Sequence, residues 1–567
     1  MARQLERFEN LVAMFLARAE AKGDAPFLWA KREGEWRSIS WAETARRVAA
    51  LATALKRIGL QPGDRVALVS ENRPEWLIAD LGIMAAGCVT VPTYTTNTTR
   101  DHAHVLGNSG ARAVIVSNQK LAKNLIPAVL TSDDCHHIIG IEEIRAGQVP
   151  DWVHVHHWAE LFTDEADVEA LRAREKKVGR DDLACIIYTS GTGGAPRGVK
   201  LHHGSILHNL EGCTDIISSD FGWNDEVFLS FLPASHAYEH TGGQMFPIAL
   251  GAEIYYAESL EKLAANIEEV QPTIMVVVPR LFELLRARII KSVETSGGFS
   301  KYLLYRAMKI GADKNDGRLK PWDMPMDGFL ALTLRRKIRD KMGKRVKAWV
   351  SGGAPLNPEV GVFFQSLGIT FLQGYGQTEA GPLVSCNRPS VGIRLETVGP
   401  PSMNTEVRIA GDGEIMVRGE NVMHGYWRNP EETERVLKDG WLATGDVGHF
   451  DEKGRIVITD RKKDLIVNDK GDNVSPQRIE GILTLQPEIA QAMVYGDRRP
   501  HLVALLVPDP EIARNSDLHA RLQRAVDRVN APDLARQQAA LDGKMLLQAG
   551  DAQQGFAHVR APCVSSR

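Results

Sequence analysis

Residues 65–92 read RVALVSENRPEWLIADLGIMAAGCVTVP: a short β-rich run (65–70), a longer helical stretch (74–87) and a second β-rich run (89–92), with ARAVIVS (111–117) continuing the rhythm. Alternation of this kind predicts an α/β protein with layered sheets. Outward from it, LACIIYTS (183–190), VFLSFLP (227–233), TIMVVVP (273–279) and VKAWVSGG (346–353) are too apolar to leave a wet face and are predicted to be buried strands. Around residue 397 the texture changes to turn-rich segments. There TEVRI and EIMVR flank AGDG, a hairpin signal that predicts a smaller β subdomain. In GRIVITDRKKDLIV (454–467) the charged run DRKKD separates two apolar runs, a composition suited to an exposed connection, and the domain boundary is expected there.

At 567 residues the chain exceeds what one hydrophobic core supports, so at least two domains are expected. Its 68 basic and 71 acidic residues nearly cancel, which argues against a partner gripped through a net positive field, and no nucleic acid is expected. The six cysteines (Cys88, Cys135, Cys185, Cys213, Cys386, Cys563) form no CxxC pair, so neither a disulfide framework nor a zinc ribbon is predicted and a cytoplasmic setting fits best. Charges break up the apolar residues of the N-terminus, which does not read as a secretory signal. The strongest apolar runs are as short as IMVVV (274–278), so any membrane contact is expected to be peripheral. There is no repeat of fixed period and no low-complexity tract. Nothing in the sequence fixes an oligomeric state.

The most informative motif is Tyr188-Thr-Ser-Gly-Thr-Gly-Gly-Ala-Pro-Arg-Gly-Val-Lys200, a loop following a predicted strand. Gly191, Gly193 and Gly194 let backbone N–H groups approach an anion, the hydroxyls of Thr189, Ser190 and Thr192 donate to it, and Arg197 and Lys200 bring positive charge. A generic loop of this composition is an ordinary surface connection; its length and basic ending favour phosphate. It is not a Walker A loop, because GxxxxGK[ST] is absent.

This loop resembles the phosphate-binding signature YTSGTTGxPKGV of the adenylate-forming superfamily, which includes acyl-CoA synthetases, luciferases and peptide-synthetase adenylation domains. Gly193 stands where the signature has threonine, and Arg197 where it has lysine, exchanging a compact ammonium for a planar fork. Further segments match the family in order. SGGAPL (351–356) is similar to the adenine-side segment, assigning Gly352, Gly353, Ala354 and Pro355 to the nucleotide. Gly374-Tyr-Gly-Gln-Thr-Glu-Ala380 resembles the YGxTE signature. That resemblance implies that Gly374, Tyr375, Gly376 and Gln377 line the adenine side, that Thr378 bonds the α-phosphate, and that Glu379, with Thr192, holds Mg²⁺. Gly440–Asp446 resembles the GWxxTGD element, which implies that Asp446 and, fifteen positions on, Arg461 reach the ribose. LPASHAYEH (232–240) resembles the LPxxHxxE region beside the acyl pocket and metal, marking His236 and Glu239.

The resemblance therefore implies an acyl-CoA synthetase/luciferase-like fold: an N-terminal adenylation domain over 1–459, a hinge over 460–463 with Lys463 at its turning point, and a small mobile α+β C-terminal domain over 464–567. The implied reaction joins a carboxylic acid to CoA through an acyl-adenylate, using ATP and Mg²⁺, with Thr378, Glu379, His236 and Arg461 as catalytic positions. Asn473–Glu480 and MHGYWRNPEET (423–433) resemble bacterial long-chain fatty acyl-CoA synthetases and point to a fatty acid. One part of the pattern is missing. After about residue 530 nothing resembles the PTxKxxR-like segment that carries the family's C-terminal lysine, and Lys544 is the one lysine there. A divergent, truncated or out-of-frame tail would leave adenylation impaired and thioester formation partly retained. The rival readings are a homologue that binds nucleotide or acyl-CoA without catalysis, and an enzyme that passes the acyl group to a carrier protein or an amine.

Three remaining features have plainer readings. DDCHH (133–137) and HVHHW (154–158) look metal-like but read as polar connecting stretches with no matching partner cluster, so zinc is not expected there. RRKIRDKMGKRVK (335–347) reads as an amphipathic helix with Leu334, Ile338 and Met342 inward rather than as a phosphate or membrane surface. Leu5, Phe8, Leu11, Val12 and Phe15 fit one docked N-terminal helix.

Overall fold

The strand–helix–strand unit read from residues 65–92 is the centre of the fold. Arg65–Val69 and Val89–Thr93 pair in parallel and are joined by the helix Pro74–Ala85, with Pro74 in the first turn, where a missing N–H is no loss. All 12 residues of that helix are buried. It needs no polar face because it packs on these two strands and also on Pro26–Arg32, which belongs to a different sheet. Its two carboxylates are matched inside the protein: Glu75 pairs with Arg73 at 2.9 Å, and Asp80 lies 3.0 Å from His240 Nε2.

The computed structural model describes residues 3–567 apart from 146, 148, 163–165, 190–194, 296, 316–317, 468–472, 498, 500, 511, 514–516, 531–547, 551–556 and 563–567. A seven-stranded sheet runs in the order 154–157, 137–140, 111–116, 65–69, 89–93, 183–189, 197–202, parallel except for the final hairpin. An eight-stranded sheet runs 383–386, 371–376, 348–351, 274–277, 227–230, 253–256, 26–32, 35–40, parallel except at its two ends. Each of the four apolar runs supplies one of these strands, and Val227–Ser230 and Ile274–Val277 are buried at every position. A five-stranded sheet contains Glu406–Ile409, Glu414–Arg418, Leu437–Lys438, Trp441–Phe450 and Ile456–Arg461, and the AGDG hairpin is its first turn.

The chain divides into two compact units, one of residues 1–408, 416–444 and 450–456, the other of 409–415, 445–449 and 457–567. The boundary expected at 459/460 falls inside the strand Ile456–Arg461. In the second unit, helices Pro476–Leu483 and Leu518–Asn530 cover a sheet ordered 489–495, 501–508, 557–562, 548–550, closing a core around Leu483, Leu502, Leu506, Leu522 and Val526. The tail that the sequence leaves unplaced thus supplies two antiparallel strands, in register from His501↔Pro562 to Leu506↔Ala557.

Two expectations need correction. The N-terminal helix starts at Leu11, capped by Asn10, so Leu5 and Phe8 lie ahead of it while Leu11, Val12 and Phe15 are buried. Of the His-rich segments, DDCHH is a connection whose last residue opens the strand His137–Gly140, whereas HVHHW is not one: His154–His157 is a strand that pairs in parallel with His137–Gly140. His154–His157 is the edge strand, which explains its polar composition, while His137–Gly140 lies one strand in and is buried from Ile138 onward. They do partner each other, His137 Nδ1 lying 3.1 Å from His156 Nε2, and burial pushes the His137 imidazole down to about 4. The helix Leu334–Lys341 conforms to its pattern, with Leu334 and Ile338 half-buried and Arg336, Lys337 and Arg339 exposed. Among the described residues no helix is long and apolar enough to cross a membrane.

Candidate active site

Three of the motifs sit where parallel strands of the eight-stranded sheet end. LPASHAYEH follows Val227–Ser230, SGGAPL closes Ala348–Ser351, and QTEA follows Phe371–Gly376. The crevice beyond the carboxyl ends of such strands is where open α/β sheets place ligands. Tyr238 ties the first two together: its hydroxyl donates to Val350 O at 2.8 Å, and a Cβ on Gly352 would stand 2.9 Å from its ring. Gly353 adopts φ +78°, which favours glycine at that turn. Ala354 and Pro355 are exposed beside it.

Tyr375 is buried at the end of its strand, and Thr378–Ala380 form one 3₁₀ turn with Thr378 buried. That turn is pinned from below. Asn209 donates to Ala380 O at 3.2 Å and accepts the amide of Leu383, and the Thr241 hydroxyl donates to Gly381 O at 3.1 Å. Gly376 approaches Pro382 O so closely that no side chain fits, and the Gln377 amide nitrogen is buried without a partner.

The fourth motif, the hydroxyl-rich loop, leaves the strand Leu183–Thr189 and re-enters at Arg197–His202. Ser190, Gly191, Thr192, Gly193 and Gly194 lie outside the described residues. Both anchors of the loop are held: Tyr188 donates to Asn108 Oδ1 at 2.6 Å, and His104 Nε2 lies 2.8 Å from Pro196 O. Arg197 pairs with Glu432 and lies over the Tyr426 ring at 4.6 Å. Lys200 does not join it. Three residues further along a strand puts it on the opposite face, and its charge acts on His424 instead.

Tyr426 connects the loop to the turn. The segment 423–427 runs antiparallel beside Arg197–His202, with Lys200 N–H donating to Gly425 O, Trp427 N–H donating to Gly198 O, and a bridge between Val199 and Tyr426. From there the Tyr426 hydroxyl donates to Glu379 Oε1 at 2.8 Å, and Met423 N–H donates to Glu379 O at 2.9 Å. Burial and the Glu379 carboxylate raise the Tyr426 phenol, so it stays a donor. Glu379 is half-buried and forms no ion pair among the described residues. A carboxylate held by one oxygen is the hard donor that a phosphate-bound Mg²⁺ uses, so the residue fits that ion.

In the second unit Asp446 is buried and pairs with Arg461 Nε at 3.3 Å, leaving the guanidinium half exposed. Lys462, beside it, is bound to Asp412 at 2.6 Å and Glu414 at 2.9 Å, whereas Lys463 is exposed. Tyr426, Tyr238, Asn209, Asn108 and His104 are the positioning residues the sequence left unassigned. Tyr426 and Tyr238 lay within quoted motifs, without a role there.

His236 and Glu239 part company. His236 is exposed and caps a short helix by accepting from Tyr238 N–H at 3.1 Å. Glu239 is buried, accepts from the Ser230 hydroxyl at 2.6 Å, and is pushed by burial from 4.5 up to about 8. Burial thus favours its neutral, protonated form at pH 7. Because the folded state holds this proton longer than the unfolded chain, the stabilisation is complete below about pH 4.5 and is lost as pH rises through about 8. Glu239→Gln, which keeps a neutral acceptor for Ser230, should lose less stability than the native chain between acid and alkaline pH. Denaturant midpoints at about pH 6 and about pH 9 check this; equal pH dependence in the two proteins would mean that Glu239 titrates normally.

With this geometry in place, a family model described as AMP-binding enzyme matches residues 15–427, and one described as AMP-binding enzyme C-terminal domain matches residues 463–558. A long-chain-fatty-acid–CoA ligase of Mycobacterium tuberculosis is 32% identical over 517 residues, covering 89% of this chain and 82% of that protein. Long chain acyl-CoA synthetase 1 of Arabidopsis thaliana is 30% identical over 541 residues, covering 90% and 78%. The adenylation domain of a carboxylate reductase from Mycobacterium chelonae superposes with a TM-score of 0.70 at 21% identity, covering 95% of this chain and 85% of that one, which shows a shared fold. By family match and by identity along most of its length, the chain belongs to the AMP-binding enzyme family.

Proposed function

We propose that the chain is an ATP-dependent acyl-CoA ligase that activates a long-chain fatty acid through an acyl-adenylate. The observation that carries this reading is the bond from Tyr426 to Glu379, which joins the loop-bearing strand to the Thr378–Ala380 turn, in a chain whose curated relatives are named as long-chain ligases. In the first step a carboxylate oxygen of the acid bonds to the α-phosphorus of ATP and pyrophosphate leaves. In the second the CoA thiolate bonds to the acyl carbon and AMP leaves. Such chemistry needs positioning and charge neutralisation rather than a nucleophilic side chain. Thr378 orients the α-phosphate, the loop 189–197 with Arg197 receives the departing phosphates, and Tyr375 with Gly352–Pro355 receives the adenine. Asp446 and Arg461 take the ribose, Lys463 is the turning point of the hinge at 460–463, and His236 stands beside the acid. Glu379, with Thr192, holds Mg²⁺, which when bound neutralises phosphate charge.

A second reading follows from the tail: it lies within the matched C-terminal domain as far as residue 558, yet no PTxKxxR-like segment surrounds Lys544, the one lysine after residue 530. Without the C-terminal lysine, adenylation should fall by on the order of a hundred- to a thousand-fold while thioester formation from supplied acyl-adenylate persists. A mass-spectrometric screen of carboxylic acids with ATP, Mg²⁺ and CoA separates the cases. AMP and acyl-CoA formed together from long-chain acids is the expected result. Slow AMP formation with rapid use of synthetic acyl-AMP supports the impaired reading. Adenylate that reaches only a carrier phosphopantetheine or an amine replaces CoA as acceptor, and nucleotide binding with no AMP from any acid contradicts the proposal.

The acid's class bears on an exposed face of the first unit. Helices Gly298–Asn315 and Met324–Leu332 pack together through Leu303, Ala307, Ile310 and Leu330, yet they and the turn Pro321–Asp323 between them present Phe299, Trp322, Met324 and Leu332 to solvent at 69%, 72%, 63% and 75% exposure. Lys301, Lys309, Arg318 and Lys320 are exposed among them. Protruding aromatics set among cations match the interface of an anionic bilayer, from which a fatty acid is drawn. The protein should co-sediment with phosphatidylglycerol-containing vesicles, and Trp322→Ser with Leu332→Ser should lower that binding by about tenfold; retention equal to that of the unmodified protein would move the contact elsewhere.

A further inference from the structure

The hairpin Leu183–Thr189/Arg197–His202 carries the phosphate loop at one end. At the other, about 17 Å along the strand from Arg197, stands a group of side chains that no step above uses. Asp181 precedes the first strand, His202 closes the second, and His424 begins the segment that pairs alongside. One donor atom from each of Asp181, His202 and His424 lies within 4.8 Å of the other two. The two imidazoles stack with centroids 4.0 Å apart and planes 15° from parallel. Asp181 and His424 are exposed and His202 is buried. All three face an open cleft of about 420 Å³, whose wall includes Glu420 and Met423.

The surroundings of His202 independently point to a cation. Its Nδ1 lies 2.9 Å from Arg180 O and its Nε2 lies 3.3 Å from Val422 O, while Ser205 N–H approaches Nδ1 at 3.2 Å. A neutral imidazole has a single N–H, so it can donate to only one of the two carbonyls. The Ser205 amide favours a proton on Nε2; the shorter contact, to Arg180 O, favours a proton on Nδ1. In the second case the Nε2 lone pair faces the lone pairs of Val422 O, a repulsion that a bound cation relieves. One ring N–H given to a backbone carbonyl, with the opposite nitrogen left as a lone pair, is also how metal-binding histidines are held. Asp181 forms no hydrogen bond or ion pair among the described residues. Glu420 is already committed to Arg180 at 2.6 and 2.8 Å, so the acidic ligand is Asp181.

We propose that Asp181, His202 and His424 bind a divalent first-row transition ion, zinc by their chemistry, with its remaining coordination positions open to the cleft. Two imidazoles and a carboxylate suit zinc rather than Mg²⁺, which prefers oxygen ligands. Exposed Asp181 and His424 can turn to close the distances around the fixed His202. The ion ties the start of the 423–427 segment to the base of the hairpin: His424 N–H already donates to Lys200 O at 3.0 Å, and Tyr426 follows two residues later. This inference stands on its own geometry and does not depend on the acid or acceptor proposed above.

The test is isothermal titration of the full chain with Zn²⁺ in excess Mg²⁺, with Co²⁺ substitution read by its visible d–d absorption. One Zn²⁺ site is expected, weakened by at least about tenfold in His424→Ala and in Asp181→Asn and unchanged in His156→Ala, which alters the separate histidine pair. Both ligand substitutions fall on exposed side chains, and thermal unfolding without metal confirms that each variant folds. No heat and no cobalt band in the native chain, binding unaffected in both ligand variants, or binding lost in His156→Ala would each overturn the assignment.

Discussion

The hydrogen bond from the Tyr426 hydroxyl to Glu379 decides how the rest of the first unit is arranged. Glu379 sits on a turn at the end of one sheet, and the hydroxyl-rich loop joins the two strands of a hairpin at the edge of another. Nothing in either segment's local sequence brings them together. The segment 423–427 does so by lying along Arg197–His202 as an extra strand, with backbone bonds fixing its register and one aromatic side chain reaching across to the carboxylate. A tyrosine suits this position because its ring gives Arg197 a cation–π surface while its hydroxyl orients Glu379.

Around that bond the interior is arranged to hold polar groups without exposing them to water. The buried helix Pro74–Ala85 carries Asp80 against His240, and Glu239 keeps its proton because Ser230 and Gln244 offer hydrogen bonds but no positive charge. Each group costs desolvation and is retained in a partnered state. The Thr378–Ala380 turn depends on the same economy, since Asn209 and Thr241 satisfy the carbonyls that a tight turn would otherwise strand.

The fold was legible where burial is complete. Strands covered on both faces read as apolar runs, which is why Val227–Ser230 and Ile274–Val277 stand where the sequence puts them, and AGDG announced its hairpin. Legibility failed at sheet edges. His154–His157 looked like a polar connection because an edge strand needs no apolar signature, and Ala557–Pro562 becomes a strand through pairing with His501–Pro508 and Gln548–Gly550 through pairing with Ala557–Pro562. At the candidate site the motif residues could be picked out from the sequence, whereas Asn209, His104 and Asn108, and Tyr238 inside LPASHAYEH, act through tertiary contacts that leave no spacing to read. Lys200 shows the converse: sequence proximity to the loop suggested a shared role, and the alternation of a strand put it on the other face.

The account rests on Tyr426 and Glu379 acting as one unit. A double-mutant cycle with Tyr426→Phe, Glu379→Gln and the pair, read as ATP–pyrophosphate exchange with a long-chain acid, tests that directly. If the tyrosine works by orienting the carboxylate, removing it from a chain that already lacks the carboxylate should cost almost nothing further, leaving a coupling of about 1 kcal/mol or more. Losses that simply add would show that the two residues serve the reaction separately and would contradict the arrangement described.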